Sequence, residues 1–546
     1  MKFLVSRPSW IVAALIAIAI ARIVATYPVL SATMDEPDHI AAGMEWIDRG
    51  TYTYGYEHPP LARVMLAAPL YAKGVRSSGD DEMISEGNLI LYTGHEHRWR
   101  LALARMGNLP FLILASVVVW LWARRWFGAT AGLWAVLFFT FLPPALAHAG
   151  LATLDMAATA SCALALYELI RWREEPSMTR AVVLGVALSL AVLCKFSVPV
   201  FLIACAAIGL LGLWGANLPK LRFASLLRQA AAIAGILLFL LWAGYHFNYR
   251  PIVLPKEKPE FLRVLTERVT RPELVSIASH AADIRSPYGG LARGFLELLN
   301  HNARGHQSYL LGRYSTSGFW NFFPVVLSVK TPVGFMLLAL AGLAMVLVWF
   351  RSAPWQLRVT ALFPFAILIV CMSSQINIGV RHILPIFVPL AVLAGHAANQ
   401  LYAIRQTKWL PVVLTAWLIV SSALAHPDYL SYFNEFAGSH PEKIVVDSDL
   451  DWGQDLDRLG RRLRELHVDR VGIQYFGNAP LSSGDLPPYT QLKPNEVTTG
   501  YVAISLRTLE TSHARDGSWS WLYDRKPLER VGKSIDLYYI PPENSK

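Results

Sequence analysis

Long apolar runs are the feature of this sequence that most restricts its fold. About eleven of them approach the roughly 20 residues that a helix needs to cross a bilayer. They are Trp10–Leu30, Gly107–Ala123, Ala129–Ala147, Asp155–Ile170, Arg180–Cys194, Ser197–Trp214, Gln229–Phe247, Pro332–Phe350, Leu357–Met372, Ile383–Tyr402 and Trp409–Ala425. The chain is 54% hydrophobic and only 16% charged, which excludes a soluble protein with an ordinary surface. We therefore predict a mainly α-helical, polytopic membrane protein with about 11 transmembrane helices.

The distribution of Lys and Arg predicts which helix ends face the cytoplasm. With Lys2 and Arg7 on the cytoplasmic side, every second junction between spans also carries basic residues, as the positive-inside rule requires. These residues are Arg124, Arg125, Arg171, Arg173, Arg180, Lys220, Arg222, Arg228, Arg351, Arg358, Arg405 and Lys408. The long loops 31–106 and 248–331 and the tail 426–546 are then extracytoplasmic. No small-residue cleavage site follows the first run, which predicts an uncleaved anchor.

The net charge of +10 does not indicate a nucleic-acid partner, because the cytoplasmic turns account for much of it. The four cysteines all fall inside apolar runs and have neither metal-site spacing nor a visible disulfide framework. They are Cys162, Cys194, Cys205 and Cys371. We therefore expect no cofactor, and we leave a divalent metal open.

The most polar stretch of the first outer loop begins where the first apolar run ends. It reads Thr-Met-Asp-Glu-Pro-Asp-His over residues 33–39 and is followed by Glu-His-Pro-Pro at 57–60. Pro37 fits the first turn of a helix, and apolar residues then recur at helical spacing, which predicts an amphipathic helix on the membrane surface. Asp35 and Glu36 at its start either serve catalysis or cap the helix, and the sequence alone leaves both open.

Other polar residues lie at the outer ends of later spans. Asp155 begins the fourth span, where it either caps the helix or faces a polar cavity. Lys195 interrupts an apolar stretch and either snorkels to the interface or binds phosphate. Arg381 and His382 follow a short outer turn and either anchor to headgroups or grip a lipid phosphate. His306 lies in a loop rich in glycines and aromatics, where it is most readily a loop residue.

The tail 426–546 changes character and predicts a small extracytoplasmic α/β domain after the membrane domain, residues 1–425. Lys443–Asp447 and Arg470–Phe476 have the composition of strands, and Asp455–Leu466 that of a helix with leucines on one face. Four aspartates around the start of that helix would suit calcium, but no glycine and distal glutamate fall at EF-hand positions. Helix capping therefore explains the aspartates better than a metal does.

These features together resemble family 39 glycosyltransferases, which include protein O-mannosyltransferases and the aminoarabinose transferase of lipid A. The residues that carry the resemblance are Met34–Pro37, Glu57–Pro60 and Asp155, and it covers the membrane domain. Segments 432–435 and 449–455 are similar to a bacterial branch of that family with uncharacterised acceptors. The resemblance implies the polytopic fold called GT-C, in a bacterial inner membrane, with the active site and the C-terminus outside the cytoplasm.

The resemblance also implies a reaction and roles for particular residues. Asp35 matches the catalytic acidic residue of the first loop, Glu36 its companion, and Asp155 the second-loop aspartate. A sugar would move from a polyprenyl-phosphate donor to a hydroxyl acceptor on a protein, a lipid or a glycan. Asp35 would take the hydroxyl proton, and a single displacement would invert the anomeric carbon, because no second carboxylate is needed as nucleophile.

The departing phosphate would need cations, since its charge is costly in a low-dielectric groove. The candidates are Arg381, His382, Lys195 and His58, with Glu57 and His306 as further site candidates. Relatives of the aminoarabinose type carry a lysine where this chain has His58, so a phosphate contact there would depend on protonation. The alternative is a transporter or flippase of lipid-linked sugars. It would need polar groups deep in the spans, whereas those found here cluster at one face.

Overall fold

The fold is taken from a computed structural model, which describes residues 7–94, 96–219, 222–268 and 271–542. Lys2 and Lys220, which contributed to the predicted orientation, lie outside these ranges. The helices are α1 (Arg7–Val24), α2 (Glu36–Met44), α3 (Pro60–Ala72), α4 (Met83–Tyr92), α5 (His97–Met106), α6 (Leu109–Phe127), α7 (Ala129–Phe141), α8 (Pro143–Ala149), α9 (Asp155–Glu174), α10 (Met178–Cys194), α11 (Ser197–Gly212), α12 (Phe223–Gly244), α13 (Lys258–Arg268), α14 (Pro272–Asp283), α15 (Gly289–Arg304), α16 (Phe322–Lys330), α17 (Val333–Val348), α18 (Trp355–Met372), α19 (Phe387–Ala403), α20 (Trp409–Leu424), α21 (Leu456–Glu465), α22 (Leu506–Arg515) and α23 (Ser520–Tyr523). The strands are β1 (Arg250–Pro251), β2 (Arg285–Ser286), β3 (Ser308–Leu310), β4 (Arg313–Ser315), β5 (Val471–Gln474), β6 (Tyr489–Gln491), β7 (Gly500–Ser505), β8 (Glu529–Val531) and β9 (Ile535–Ile540).

Ten of the eleven predicted spans each overlap one of these helices, and Ala129–Ala147 covers two, α7 and α8. Of the described helices, four are long and apolar enough to cross a membrane, or up to six if each bent pair counts as one span. The four are His97–Phe127, Phe223–Gly244, Trp355–Met372 and Val380–Ala403, and the bent pairs are α7 with α8 and α16 with α17. Shorter apolar helices are Pro8–Val24, Pro60–Ala72, Met178–Cys194, Ser197–Gly212 and Trp409–Leu424. The mainly helical membrane class is confirmed, and the number of eleven crossings stays a prediction.

Glycines allow close packing between helices α7, α17 and α19. A Cβ on Gly395 of α19 would lie 2.5 Å from the carbonyl oxygen of Ala131 in α7. A Cβ on Gly342 of α17 would lie 2.3 Å from the carbonyl oxygen of Leu393 in α19. Small residues let helix backbones approach in this way. Helix α9 is buried along most of its length, so the core fixes the position of Asp155 at its start.

Helix α2 is not an amphipathic helix on the membrane surface, as its sequence pattern predicted. It packs against α3 and α4, and most of its residues on all sides are buried. A Cβ on Gly43 of α2 would lie 2.0 Å from the Arg63 carbonyl oxygen, and one on Gly87 of α4 would lie 2.2 Å from that of Pro37. The prediction was wrong because later parts of the same loop cover the helix, which a local pattern cannot show. The carboxylates at its start are therefore held by packed backbone.

The tail contains a five-stranded sheet with strand order β6-β5-β7-β9-β8. Strand β5 pairs in parallel with β6 and β7, whereas β9 is antiparallel to β7 and β8. The predicted helix and the second predicted strand are present as α21 and β5. The predicted strand Lys443–Asp447 is wrong. The segment connects two 3-10 turns, and its last residue has a left-handed φ of 60°, which interrupts an extended strand. The tail also contacts the first loop, because the amide of Ser31 donates to the Gln454 carbonyl oxygen. A domain boundary at residue 426 stays a prediction.

Candidate active site

Asp35 pairs with Arg381, which lies 346 residues later in the chain. Its Oδ2 accepts a hydrogen bond from Arg381 Nη1 at 2.6 Å, and its side chain makes no capping bond to α2. Burial raises the pKa of Asp35, but the charge of Arg381, its hydrogen bond and the nearby His39 together outweigh burial, so that the pKa is lowered from its ordinary value. Asp35 is therefore ionised at neutral pH, and its role in this structure is an ion pair instead of a helix cap.

Asp155 forms a second pair with Lys195. Its Oδ1 lies 2.5 Å from Lys195 Nζ, and its Oδ2 lies 4.0 Å from His148 Nδ1. Helix α10 ends at Cys194 and α11 begins at Ser197, so Lys195 occupies a true break between two helices. The Asp155 carboxylate is only 1% exposed, and its negative charge acts on Asp35 to raise the pKa of that carboxyl. The two ion pairs are therefore close enough to interact and belong to one site.

Glu36 does not share the environment of Asp35. Its side chain is fully buried against Arg105, with Oε1 2.8 Å from Arg105 Nε. The same carboxylate accepts the amides of Thr33 at 2.8 Å and Ala152 at 2.7 Å. Both oxygens are thus occupied by fixed donors, and a catalytic contact with substrate is excluded in this arrangement. Glu36 instead ties the first loop to the turn before α9, and so relates Asp35 to Asp155.

His58, whose predicted phosphate contact depends on its protonation, is packed beside other titratable groups of the first loop. Its ring lies 5.5 Å from that of His39, whose Nδ1 accepts a hydrogen bond from Arg63 Nε at 3.4 Å. Burial, together with the charge of Arg63, holds the pKa of His58 well below its ordinary value and lowers that of His39 to about 3. Burial disfavours the imidazolium and with it a charged phosphate contact, and the role of His58 stays a prediction. The neutral ring can still donate or accept a hydrogen bond.

The remaining predicted residues contact other protein groups. Glu57 Oε1 lies 3.7 Å from Arg63 Nη2 at a side-chain exposure of 34%. The His382 ring stacks at 6.5 Å from that of Phe323. His306 stacks on His301 and hydrogen-bonds to the carbonyl oxygen of the neighbouring Gln307, as a loop residue does. These contacts assign neither histidine to a phosphate.

Arg250 is a candidate that the sequence did not single out. Its Nη1 donates to the Tyr52 carbonyl oxygen at 3.3 Å, and its guanidinium carbon lies 5.2 Å from the centre of the Tyr56 ring. Its Nη2 is buried without a hydrogen-bond partner, as is the hydroxyl of Tyr245, and no carboxylate of the described residues lies within 4 Å of it. Arg250 is therefore a cation without a carboxylate partner among the described residues, with one buried nitrogen free to donate. Its position just after an apolar run is the only local signal.

Metal ligation finds no support within the described ranges, which hold no cluster of three or more His, Cys, Asp or Glu side chains suited to an ion. The aspartates around residues 447–455 are instead engaged with protein donors. Asp449 Oδ1 accepts the Val380 amide at 3.0 Å, and Asp455 Oδ2 accepts the Lys533 amide at 2.9 Å.

Comparison with known proteins gives a partial sequence match and a full-length likeness in fold. The family model of dolichyl-phosphate-mannose-protein mannosyltransferases matches residues 101–243. No curated protein matches the chain in sequence. Two structures of ArnT from Cupriavidus metallidurans, one bound to undecaprenyl phosphate and one in the apo state, are 14% and 13% identical to it, with TM-scores of 0.50 and 0.51. Each alignment covers 97% of this chain and 98% of that chain.

A third structure, the S. cerevisiae Pmt1-Pmt2 complex bound to the sugar donor, is 18% identical over 44% of this chain and 33% of that one. Its TM-score of 0.34 is too low to support an argument. The ArnT structures establish the fold, and the family-model match favours an enzyme over the transporter alternative. Together they confirm the resemblance predicted from the sequence, and the chain has the GT-C fold of membrane glycosyltransferases.

Proposed function

We propose that the chain moves a sugar from a polyprenyl-phosphate donor to a hydroxyl acceptor, on the extracytoplasmic face of a bacterial inner membrane and with inversion. The observation that carries this proposal is the Asp35 carboxylate, which is ionised, 29% exposed and oriented by Arg381 at 2.6 Å. An ionised carboxylate that solvent still reaches can accept a proton. The ArnT structure bound to undecaprenyl phosphate supports this class of donor.

The reaction is a single displacement. The acceptor oxygen attacks the anomeric carbon while Asp35 takes the hydroxyl proton. The bond between the anomeric carbon and the phosphate oxygen breaks, and the phosphate leaves with the electron pair. Asp155 is almost fully buried and bound to Lys195, so it is not available as a second nucleophile. One displacement without a covalent sugar intermediate inverts the anomeric centre.

Arg250 is the cation best suited to the departing phosphate. Arg381 and Lys195 are each paired with a carboxylate, whereas the buried Nη2 of Arg250 has no acceptor among the described residues. The unpartnered hydroxyl of Tyr245 adds a further donor from the end of α12. A guanidinium binds phosphate oxygens in a fixed geometry that a lysine lacks. Arg381 and Lys195, beside the carboxylates of Asp35 and Asp155, then contribute positive charge at longer range.

A chain of contacts connects Arg250 to the Asp35 side. Tyr52 accepts Arg250 Nη1 through its carbonyl oxygen, and its hydroxyl accepts Arg63 Nη1 at 3.0 Å. Arg63 in turn donates to His39, which is one of the groups that act on the pKa of Asp35. The phosphate cation and the base are therefore positioned by the same first loop.

The test uses the purified protein in lipid nanodiscs with a panel of undecaprenyl-phosphate sugars and simple alcohols as acceptors. Release of undecaprenyl phosphate is measured by mass spectrometry. We expect release from at least one donor, and about a 100-fold or greater loss with Asp35→Asn, because a general base contributes that much. Asp81→Asn changes an exposed aspartate of the same loop and is the matched control, expected to retain activity.

Two results would contradict the proposal. One is equal release by wild type and Asp35→Asn, and the other is no release with any donor of the panel. Proton NMR of the product separately tests the stereochemistry, because a product with the anomeric configuration of the donor would exclude a single displacement.

A further inference from the structure

A turn of the tail, residues 447–455, contacts both sides of the pair formed by Asp35 and Arg381. Asp449 Oδ1 accepts the amide of Val380 at 3.0 Å, and the Trp452 carbonyl oxygen accepts the amide of Met34 at 3.0 Å. The tail turn is therefore bonded to the residue before Arg381 and to the residue before Asp35. These two residues come from distant parts of the chain, and the tail turn joins them.

Trp452 itself lies under the guanidinium of Arg381. The Arg381 guanidinium carbon is 4.2 Å from the centre of the indole ring, which is almost completely buried. Arg381 Nη1 donates to Asp35, but Nε is buried without a hydrogen-bond partner among the described residues. The face of an aromatic ring attracts a cation at this distance, most strongly where water is excluded. The indole thus stabilises the part of the guanidinium that no oxygen contacts.

A buried lysine, Lys330, fixes the tail turn by hydrogen bonds. Lys330 Nζ donates to the carbonyl oxygens of Asp449 at 2.6 Å and Leu430 at 2.8 Å, and it lies 4.2 Å from the centre of the Phe433 ring. The Trp452 amide donates to Gln454 Oε1 at 2.8 Å, which fixes the backbone that carries the indole. The two tail segments 432–435 and 449–455 therefore meet around one structural support.

We propose that Trp452 is a positioning residue, which holds the Arg381 guanidinium flat against its ring so that Nη1 stays on the Asp35 carboxylate. The tail turn is then a wall of the active site and not an appended module. The consequence for transfer rests on the proposed function, in which Asp35 is the base. A base displaced by 1 Å can lose on the order of 100-fold in rate, so an orienting contact matters to the reaction.

The test compares three variants of the full-length protein in nanodiscs. Trp452→Leu removes the ring, and Trp452→Phe keeps an aromatic face. Trp519→Leu removes another buried tryptophan of the tail, which packs in the sheet core, and is the matched control. Hydrogen exchange measured by mass spectrometry reports the order of residues 376–386 without any need for activity. Transfer rates with an active undecaprenyl-phosphate sugar are measured in parallel.

We expect Trp452→Leu to accelerate exchange over residues 376–386 about 10-fold and to lower transfer on the order of 10-fold. Trp452→Phe should restore both to within about 3-fold of wild type, because Phe also presents a ring face. Trp519→Leu should change neither. If Trp452→Leu does not accumulate as folded protein, Trp452→Met replaces it under the same criteria.

Wild-type exchange over residues 376–386 in Trp452→Leu would overturn the proposal. So would a Phe variant as impaired as the Leu variant, or an equal effect of Trp519→Leu. If wild type transfers no sugar, the proposed function fails by itself, and the exchange comparison still decides whether Trp452 positions Arg381.

Discussion

Replacing Asp35 with Asn separates its role as a base from its role as the counter-charge of Arg381. Asn keeps the size of the side chain but cannot take the acceptor proton, so transfer should fall about 100-fold or more. The variant also leaves Arg381, which is only 8% exposed, without the carboxylate that lies 2.6 Å away. Since Asp35 is 29% exposed, breaking this partly buried pair should cost roughly 2–4 kcal/mol of unfolding free energy.

Two further measurements keep these effects apart. Thermal unfolding in detergent should show the stability loss in Asp35→Asn, and adding Arg381→Met should restore much of the melting temperature by removing the unpaired cation. Asp35→Ala should regain transfer with added formate, which is both an anion and a base, but not with chloride, which is only an anion. More than about one-tenth of wild-type transfer in Asp35→Asn at pH 7, or equal rescue by formate and chloride, would refute the assignment of Asp35 as the base.

Four other predictions address orientation, charge geometry, structure and pH. A reporter enzyme fused after Lys546 should be active only outside the cytoplasm, and a cytoplasmic signal would contradict the assigned orientation. Arg381→Lys keeps the charge but loses the planar fork, so transfer kinetics should show a loss of about 2 kcal/mol in transition-state stabilisation; unchanged kinetics would remove Arg381 from the site. Glu36→Gln should lower the unfolding free energy by roughly 3–5 kcal/mol, because it breaks a fully buried pair. The melting temperature should fall strongly as a result. The protein that remains folded should keep its specific activity, and selective loss of activity would restore Glu36 to catalysis. Burial and the neighbouring Asp35 raise the pKa of Asp38 to about 7. Between about pH 4 and 7 the folded protein keeps this proton, whereas the unfolded chain loses it. The carboxyl therefore makes wild type less stable as pH rises through that window. Asp38→Asn should therefore raise the melting temperature more at pH 8 than at pH 5, and equal gains would contradict the shift.

Local sequence patterns correctly predicted the position of a site residue where that residue lies at the end of a helix. Asp155 was predicted to open a span, and α9 begins at that residue. Lys195 was predicted to interrupt an apolar stretch, and it separates α10 from α11. A helix that crosses a bilayer needs an apolar run of about 20 residues, so a polar residue at the end of such a run indicates where the helix ends. The positions of these two residues therefore followed from the pattern.

Pairings between distant residues could not be predicted in this way. Asp35 and Arg381 are 346 positions apart, and no local pattern connects them. Glu36 looks equivalent to Asp35 in the sequence, but Arg105 occupies it in the fold. The neutral state of His58 likewise depends on burial, which only the packed loop reveals. Adjacent residues of one motif thus acquired different roles from their tertiary partners.

The separation of Asp35 from its partners also sets an order of events during synthesis. Asp35 leaves the ribosome early, Arg381 follows 346 residues later, and the tail turn 447–455 comes after both. At about 5–20 residues per second, the interval between the two charged residues lasts roughly 20–70 s. During this time the nascent chain has a carboxylate without its guanidinium. The site is assembled only when the last helices and the tail have been synthesised and packed, so a donor lipid meets a finished site instead of a growing one.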